Sequence, residues 1–169
     1  DRFPPETMKP GDHYITNDPW RGTGHLNDFV VTSPAFHDGK LVGLFSCTSH
    51  LIDIGGIGFG PDGTDVFAEG LSIPFLKISD AGEMNETLMA IIRANTRLPV
   101  ETEGDVYSLI GCNEIGAARL SEMMTEYDLS SLDELAEHIC TTSRDAALKA
   151  MAHLPRGTTT NTMTIDGLD

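Results

Sequence analysis

Phe29-Val-Val-Thr-Ser-Pro-Ala-Phe-His-Asp-Gly-Lys-Leu-Val-Gly-Leu-Phe45 sets two β-branched and aromatic runs around Asp38-Gly39. Asp-Gly between such runs is a strong hairpin signal, because a two-residue type I′ turn needs positive φ at both central positions. Pro34 has no N–H to give a ladder, so its arm is an edge strand or carries a bulge there. A two-residue loop sets His37 opposite Lys40. The pairs that follow are Phe36–Leu41, Pro34–Gly43, Val31–Ser46 and Asn27–His50, provided no bulge intervenes.

Working outward, His13-Tyr-Ile-Thr16 is a second strand signal upstream. Downstream, glycines at 55, 56, 58, 60 and 63 exclude a strand interior or a helix and make a tight loop. This run lacks the spacing of a dinucleotide fingerprint. It is either a flexible loop or one whose backbone N–H groups approach a ligand. Helical period begins at Glu83, with Met84, Leu88, Ile91 and Ile92 on one stripe and Pro99 ending it. A second stripe takes Val106, Leu109, Ile110, Ala117, Leu120, Met124 and Tyr127, interrupted by Gly111 and Gly116. A third opens on the capping box Ser131-Leu-Asp-Glu134 and runs through Leu135, Ile139, Ala146, Ala150 and Leu154 to Pro155. All three stripes read as core.

The fold class is therefore α+β. A mainly antiparallel β region with hairpins and glycine-rich loops (1–82) precedes a three-helix region (83–155) and a final strand (156–169). Thr158-Thr-Thr-Asn-Thr-Met-Thr-Ile165 followed by Asp166-Gly167 predicts a strand and a hairpin turn with its return strand missing. With Asp1 in place of an initiating Met, this reads as one domain cut from a longer protein.

The 169 residues hold 11 Lys and Arg against 26 Asp and Glu, a net charge of −15. Such a chain repels phosphate backbones and anionic lipid, and its few cations are scattered, so neither nucleic acid nor a membrane surface is an expected partner. No window nears the ~18 uninterrupted apolar residues of a membrane span. Cys47, Cys112 and Cys140 are odd in number with no CxxC, which suits reduced core thiols in a cytoplasmic protein.

The chemistry concentrates around the hairpin. Asn17-Asp-Pro-Trp-Arg-Gly-Thr-Gly-His-Leu-Asn-Asp28 leads in, and Ser46-Cys-Thr-Ser-His-Leu-Ile-Asp53 leads out. The register above sets His50 diagonal to His25, with Cα atoms roughly 7–8 Å apart. In an ideal strand His25 and Asp28 point to opposite faces, so they converge only if Leu26-Asn27 turns or bulges. The candidate site is His25, Asp28 and His50. Two imidazoles and a carboxylate with open positions form a catalytic rather than a structural set, suited to zinc, manganese or ferrous iron. Asp18 or Asp53 would add a fourth ligand, orient the imidazoles, or serve as base. His/Asp clusters also occur as plain hydrogen-bonded pairs. His13, His37, His138 and His153 read as surface or core histidines.

These residues lie in text that resembles the hydantoinase B/5-oxoprolinase family, which includes the acetone and acetophenone carboxylase large subunits. The matching blocks are Lys9-Pro-Gly-Asp12, Ile15-Thr-Asn-Asp-Pro-Trp20, Gly22-Thr-Gly-His-Leu-Asn-Asp28 and His50-Leu-Ile-Asp-Ile-Gly-Gly56. Asp65-Val-Phe-Ala-Glu-Gly-Leu-Ser-Ile-Pro74, Asn95-Thr-Arg-Leu-Pro99, Gly104-Asp105 and Asn113-Glu-Ile-Gly-Ala-Ala-Arg119 follow in order. The resemblance implies a partner A-type subunit of actin-like ATPase fold, which uses ATP and magnesium to phosphorylate the substrate. The B component then completes the reaction at a divalent metal, whose His-x-x-Asp and later His map onto His25, Asp28 and His50. Many relatives carry two adjacent histidines where this chain has His50-Leu51, so a role needing the second is excluded.

The leading expectation is a piece of the B component of an ATP-dependent cyclic-amide hydrolase acting on a hydantoin, 5-oxoproline or lactam. The metal would lower the pKa of bound water toward ~7 for attack on the activated ring carbon. The alternatives are a ketone carboxylase using the same site, an iron-dependent oxygenase with a facial triad, and a non-catalytic scaffold segment. No P-loop is present, so ATP is handled by the partner and the piece alone is expected to be inactive. Asp105, Asn113 and Arg119 receive no role beyond helix packing.

Overall fold

The computed structural model describes residues 2–58 and 60–165. Its elements are β1 (His13–Thr16), β2 (Asp28–His37), β3 (Lys40–His50), α1 (Val66–Glu69), β4 (Leu76–Asp80), β5 (Glu83–Met84), α2 (Glu86–Asn95), α3 (Pro99–Glu126) and α4 (Asp133–Met151). The α+β class holds. The strands form one antiparallel sheet in the order β3-β2-β1-β4-β5.

Asp38 and Gly39 both take positive φ (49° and 75°), as the turn chemistry requires. The pairs nearest the turn, His37–Lys40 and Phe36–Leu41, are those expected. The ladder then shifts: Ala35 pairs with Gly43, Pro34 with Leu44, Val31 with Cys47 and Asp28 with His50. Val42 is the extra residue of a β-bulge, and every pair beyond it moves by one. The expected Pro34–Gly43, Val31–Ser46 and Asn27–His50 pairs are thereby corrected. Of the two roles open to Pro34, the edge strand is overturned, because β2 runs between β3 and β1. The pairing with β1 ends at Thr32, so Pro34 lies past the stretch where β1 would seek its N–H.

One sheet face carries Ile15, Phe29, Val31 and Ile78, which pack against Leu88, Met89 and Ile92 of α2 and Val106, Leu109 and Ile110 of α3. Asn113 fastens α3 to β2, donating from Nδ2 to the Val31 carbonyl (2.9 Å) and to Ser33 Oγ (3.0 Å). Gly116 lets α3 approach β3: a Cβ there would sit 2.6 Å from the Phe45 ring. Neither Gly111 nor Gly116 interrupts α3. By strand alternation, Asp28, Val30 and Thr32 point to the opposite face, together with His50 and Thr48 across the ladder.

Several local expectations are corrected. Glu83 and Met84 pair back onto β4 through an Ala81-Gly82 turn of positive φ, so the helix starts at Glu86 with Asn85 as its cap. Asn85 Oδ1 accepts the Leu88 N–H at 3.1 Å. Leu88, Met89 and Ile92 are buried there, while Ile91 is exposed. The strand Leu76–Asp80 and the short helix α1, capped by Asp65, carry no signal recognised in the sequence. The glycine loop closes on its own protein: a Cβ on Gly55 would collide with the Asn95 carbonyl oxygen. Only Cys47 packs inward, its thiol donating to the Leu109 carbonyl (3.3 Å) and pushed up to about 11 by burial. Cys112 and Cys140 are exposed.

The chain divides into two compact units, Asp1–Ser130 and Ser131–Asp169. The first runs across the 82/83 boundary, since α2 and α3 complete the core of the sheet. The second holds α4 and no other helix or strand among the described residues. Its stripe of Leu135, Ile139 and Leu154 is exposed rather than core, for nothing in its own unit covers it. Ser131 and Glu134 make no capping box; Ser131 Oγ instead accepts the Asp133 N–H at 3.1 Å, one position too early to cap the helix. Thr158–Ile165 forms no strand, having no ladder partner among the described residues; Asp166-Gly167 lies outside them. No helix among the described residues is long and apolar enough to cross a membrane.

Candidate functional site

The site is built on a single buried asparagine. Asn17 is 1% exposed. Its Nδ2 donates to the carbonyls of Leu26 and Leu71 (both 2.8 Å), and its Oδ1 accepts the Ile73 N–H. An interior amide with its bonds made fixes what it touches. It therefore holds the loop from Asp18 to Asn27 to the sheet at Leu26, the residue after His25. Leu26-Asn27 forms a turn closed by the Asp28 N–H on the His25 carbonyl (3.3 Å). That turn is the departure from strand geometry that His25 and Asp28 need in order to converge.

The bulge at Val42 completes the arrangement by setting Asp28 directly across from His50. His50 Nδ1 lies 2.7 Å from Asp28 Oδ1, and His25 Nδ1 lies 3.6 Å from Asp28 Oδ2. The two imidazoles meet edge to face, 6.2 Å between centroids. Thr23 Oγ1 donates to Asp28 Oδ2 at 2.5 Å. Burial alone would raise the Asp28 pKa, but the bonds from Thr23 and His50 and the charge of both imidazoles outweigh it, and it is lowered. An ionised carboxylate only accepts, so the proton of the Asp28–His50 bond sits on Nδ1. Thr23 escaped sequence reasoning, which offers no signal for it beyond its place within Gly22-Thr-Gly24.

The three predicted side chains are thus together, with two nitrogens and a carboxylate as donor set. They pair with one another here, and among the described residues no group of three His, Cys, Asp or Glu side chains is gathered as metal ligands around one point. The His25 and His50 side chains are 68% and 45% exposed, so both rings are reachable from solvent.

The two other predicted acids sit in different settings. Asp18 is half-buried and closes its own turn, Oδ1 accepting the Trp20 N–H at 3.0 Å. Asp53 is 8% exposed and bound at the α2–α3 junction. Its Oδ1 accepts from Gly55 N–H (3.0 Å) and from Arg97 Nη2 (2.8 Å) and Nε (3.2 Å), and its Oδ2 from Thr96 Oγ1 (2.8 Å) and the Arg97 N–H. Burial raises its pKa, yet the Arg97 bonds overcome that and hold it well below the usual carboxylate range. A carboxylate so saturated with donors braces the loop at Gly55 against the Thr96-Arg97 junction. It is an anchor, and its partners lie in Asn95-Thr-Arg-Leu-Pro99. Among the described residues, Arg119 makes a surface ion pair with Glu122 (2.6 Å). His13 is buried between Ser33 Oγ (2.6 Å) and Glu114 (3.4 Å), and His37 bonds Ser121 (2.9 Å).

Known proteins share this chain's sequence and fold. The B subunit of a "Putative D-/L-hydantoinase" from Pseudomonas sp. (strain NS671) is 31% identical over 166 residues, 96% of this chain and 28% of its own length. The caprolactamase beta subunit of Pseudomonas jessenii is 33% identical over 125 residues, covering 72% of this chain and 22% of its own. The crystal structure of ATP-dependent caprolactamase from Pseudomonas jessenii superposes with a TM-score of 0.80 at 27% identity, over 89% of this chain and 26% of that one. This chain therefore spans between a fifth and a third of the length of these relatives. The family model described as Hydantoinase B/oxoprolinase matches residues 1–169. With the blocks in order, the fold shared and the match running from end to end, the chain belongs to the hydantoinase B/oxoprolinase family.

Proposed function

We propose that this segment carries the metal-holding site of the B component of an ATP-dependent hydrolase of cyclic amides. The observation that supports it is the gathering of His25, Asp28 and His50 on the exposed sheet face by a turn and a bulge. The names of the relatives, one a hydantoinase component and the other a caprolactamase component, supply the substrate class. An A-type partner uses ATP and magnesium to phosphorylate the amide oxygen, turning a poor electrophile into a reactive one. Water then adds to the ring carbon, the ring C–N bond opens as the nitrogen takes up a proton and leaves as the amine, and a second water hydrolyses the resulting acyl phosphate to carboxylate and phosphate.

The donor set fits a divalent zinc, manganese or iron ion, and His25, Asp28 and His50 would hold it. Such an ion supplies Lewis acidity and brings the pKa of water toward neutrality. The chain's own residues prepare the site. Asp28 accepts the bond from His50 Nδ1 and so fixes the orientation of that ring. Thr23 holds the second carboxylate oxygen, so Asp28 keeps its orientation. Asn17 holds the loop that carries His25.

Metal analysis and ATP-dependent turnover of the complete B component with its partner test this reading. His25→Ala and His50→Ala are each expected to lower bound metal and turnover together by tenfold or more, about the loss seen when a metal's supporting residues are removed. Retention of both quantities in both variants would show the site to lie elsewhere. Labelled bicarbonate entering the product would assign the same site to carboxylation.

A further inference from the structure

A cleft of about 340 Å³ opens on the same sheet face as the His25–Asp28–His50 group. Val30 and Thr32 line it and follow Asp28 on its side of β2, so the cleft begins about 7 Å along the strand from the triad. Its lining is mostly apolar, with Phe3 and Phe75 among the walls and two cations, Arg2 and Arg21, beside them. The loop that supplies Arg21 also supplies Thr23 and His25. It passes directly over Val30, for a Cβ on Gly22 would lie 3.6 Å from Val30 Cγ2.

With a net charge of −15, carboxylates are plentiful, and Lys77, Arg93, Arg97, Arg119 and Arg144 all pair with one. Arg21 and Arg2, like Lys9, Lys40, Lys149 and Arg156, pair with none among the described residues, but these two alone line the cleft, and the Arg2 guanidinium lies 6.0 Å from the Phe3 ring centroid. Two guanidinium groups beside an apolar cleft suit a ligand with a hydrocarbon body and an anionic end. Guanidinium geometry matches phosphate oxygens in pairs. The volume lies within the range of small-ligand sites.

We infer that this cleft seats the phosphorylated cyclic amide itself. Arg21, with Arg2, binds the phosphoryl oxygens, while ring methylenes lie on Val30, Phe3 and Phe75 and the activated carbon faces the triad. The inference rests on the function proposed above and adds where the intermediate sits and which cation recognises it.

The test uses the complete B component, titrated calorimetrically with inorganic phosphate in excess chelator so that no metal scores as the phosphate site. Arg21→Ala should weaken phosphate binding by about tenfold to a hundredfold, the worth of a lost charge-assisted contact. Arg21→Lys should lose less. Arg21 is exposed, and an unchanged melting temperature confirms the fold. In the complex with its partner, Arg21→Ala should also lower kcat/KM for a small lactam with ATP. Phosphate affinity within about twofold of wild type in Arg21→Ala, or no saturable phosphate binding by wild type, overturns the cleft assignment and leaves the hydrolase reading standing. A wild-type complex without ATP-dependent turnover of any lactam or hydantoin overturns the hydrolase reading. The titration then still decides whether Arg21 makes an anion site.

Discussion

Replacing Asp53 by Asn removes a charge while keeping the shape, and the structure says why no orientation of the amide is tolerated. Each carboxylate oxygen faces a backbone N–H: Oδ1 that of Gly55, Oδ2 that of Arg97. Asn has one acceptor and one NH2, so either flip leaves a donor against a donor inside the protein. That orphaned N–H costs about 1–3 kcal/mol. The Arg97 guanidinium adds less than a buried pair would, because its side chain is 58% exposed and screened by water. With the Thr96 bond weakened as well, the total comes to about 3 kcal/mol. Urea unfolding reads it directly: at about 2 kcal/mol per molar, the midpoint falls by about 1.5 M. Asp53→Ala should fare no worse than Asp53→Asn, since it orphans the same groups without opposing them. The acid limb adds a second signature. The Asp53 pKa is lower folded than unfolded, so its contribution is complete above about pH 4 and lost as pH falls below that. Asp53→Asn should flatten that limb. A midpoint within about 0.3 M of wild type together with abolished turnover would refute the anchoring argument and restore Asp53 as a chemical participant.

His13 is buried, and burial drives its pKa down against the opposing charge of Glu114. The unfolded chain then binds more protons, so stability is complete above about pH 6.5 and falls on acidification. A melting temperature that does not drop between about pH 8 and pH 5.5 in wild type relative to His13→Gln would contradict this. Gly55→Ala and Gly82→Ala separate backbone strain from collision. Both residues have positive φ (84° and 91°), but only at Gly55 does a Cβ meet another atom, the Asn95 carbonyl oxygen. Gly82→Ala should cost about 1 kcal/mol and Gly55→Ala clearly more; equal losses in urea unfolding would show that the contact yields.

The site was partly legible because its residue types cluster in the chain. His25 and Asp28 flank a turn announced by Gly22 and Gly24, and His50 follows at the far end of the hairpin. The details that bring them together were not legible. Nothing about Val42 marks it as a bulge residue, since its side chain suits either face of a strand. Asp53 looks like Asp28 in sequence, a carboxylate close to the hairpin. The difference lies in Thr96 and Arg97, more than forty residues away, whose donors saturate one acid and not the other. Leu135 and Ile139 look like core because periodicity reports an apolar face but does not say whether anything covers it.

Short-range chemistry accounts for the Asp38-Gly39 turn and the extended runs on either side, because each depends on neighbouring residues; Pro99, expected to end a helix, instead opens α3 four residues past the end of α2. Burial, register and the electrostatic setting of each acid depend on groups distant in the chain. Whether a given carboxylate can engage a cation or serves only to brace the backbone is decided by donors that folding brings to it, and so could be seen only once the chain was folded.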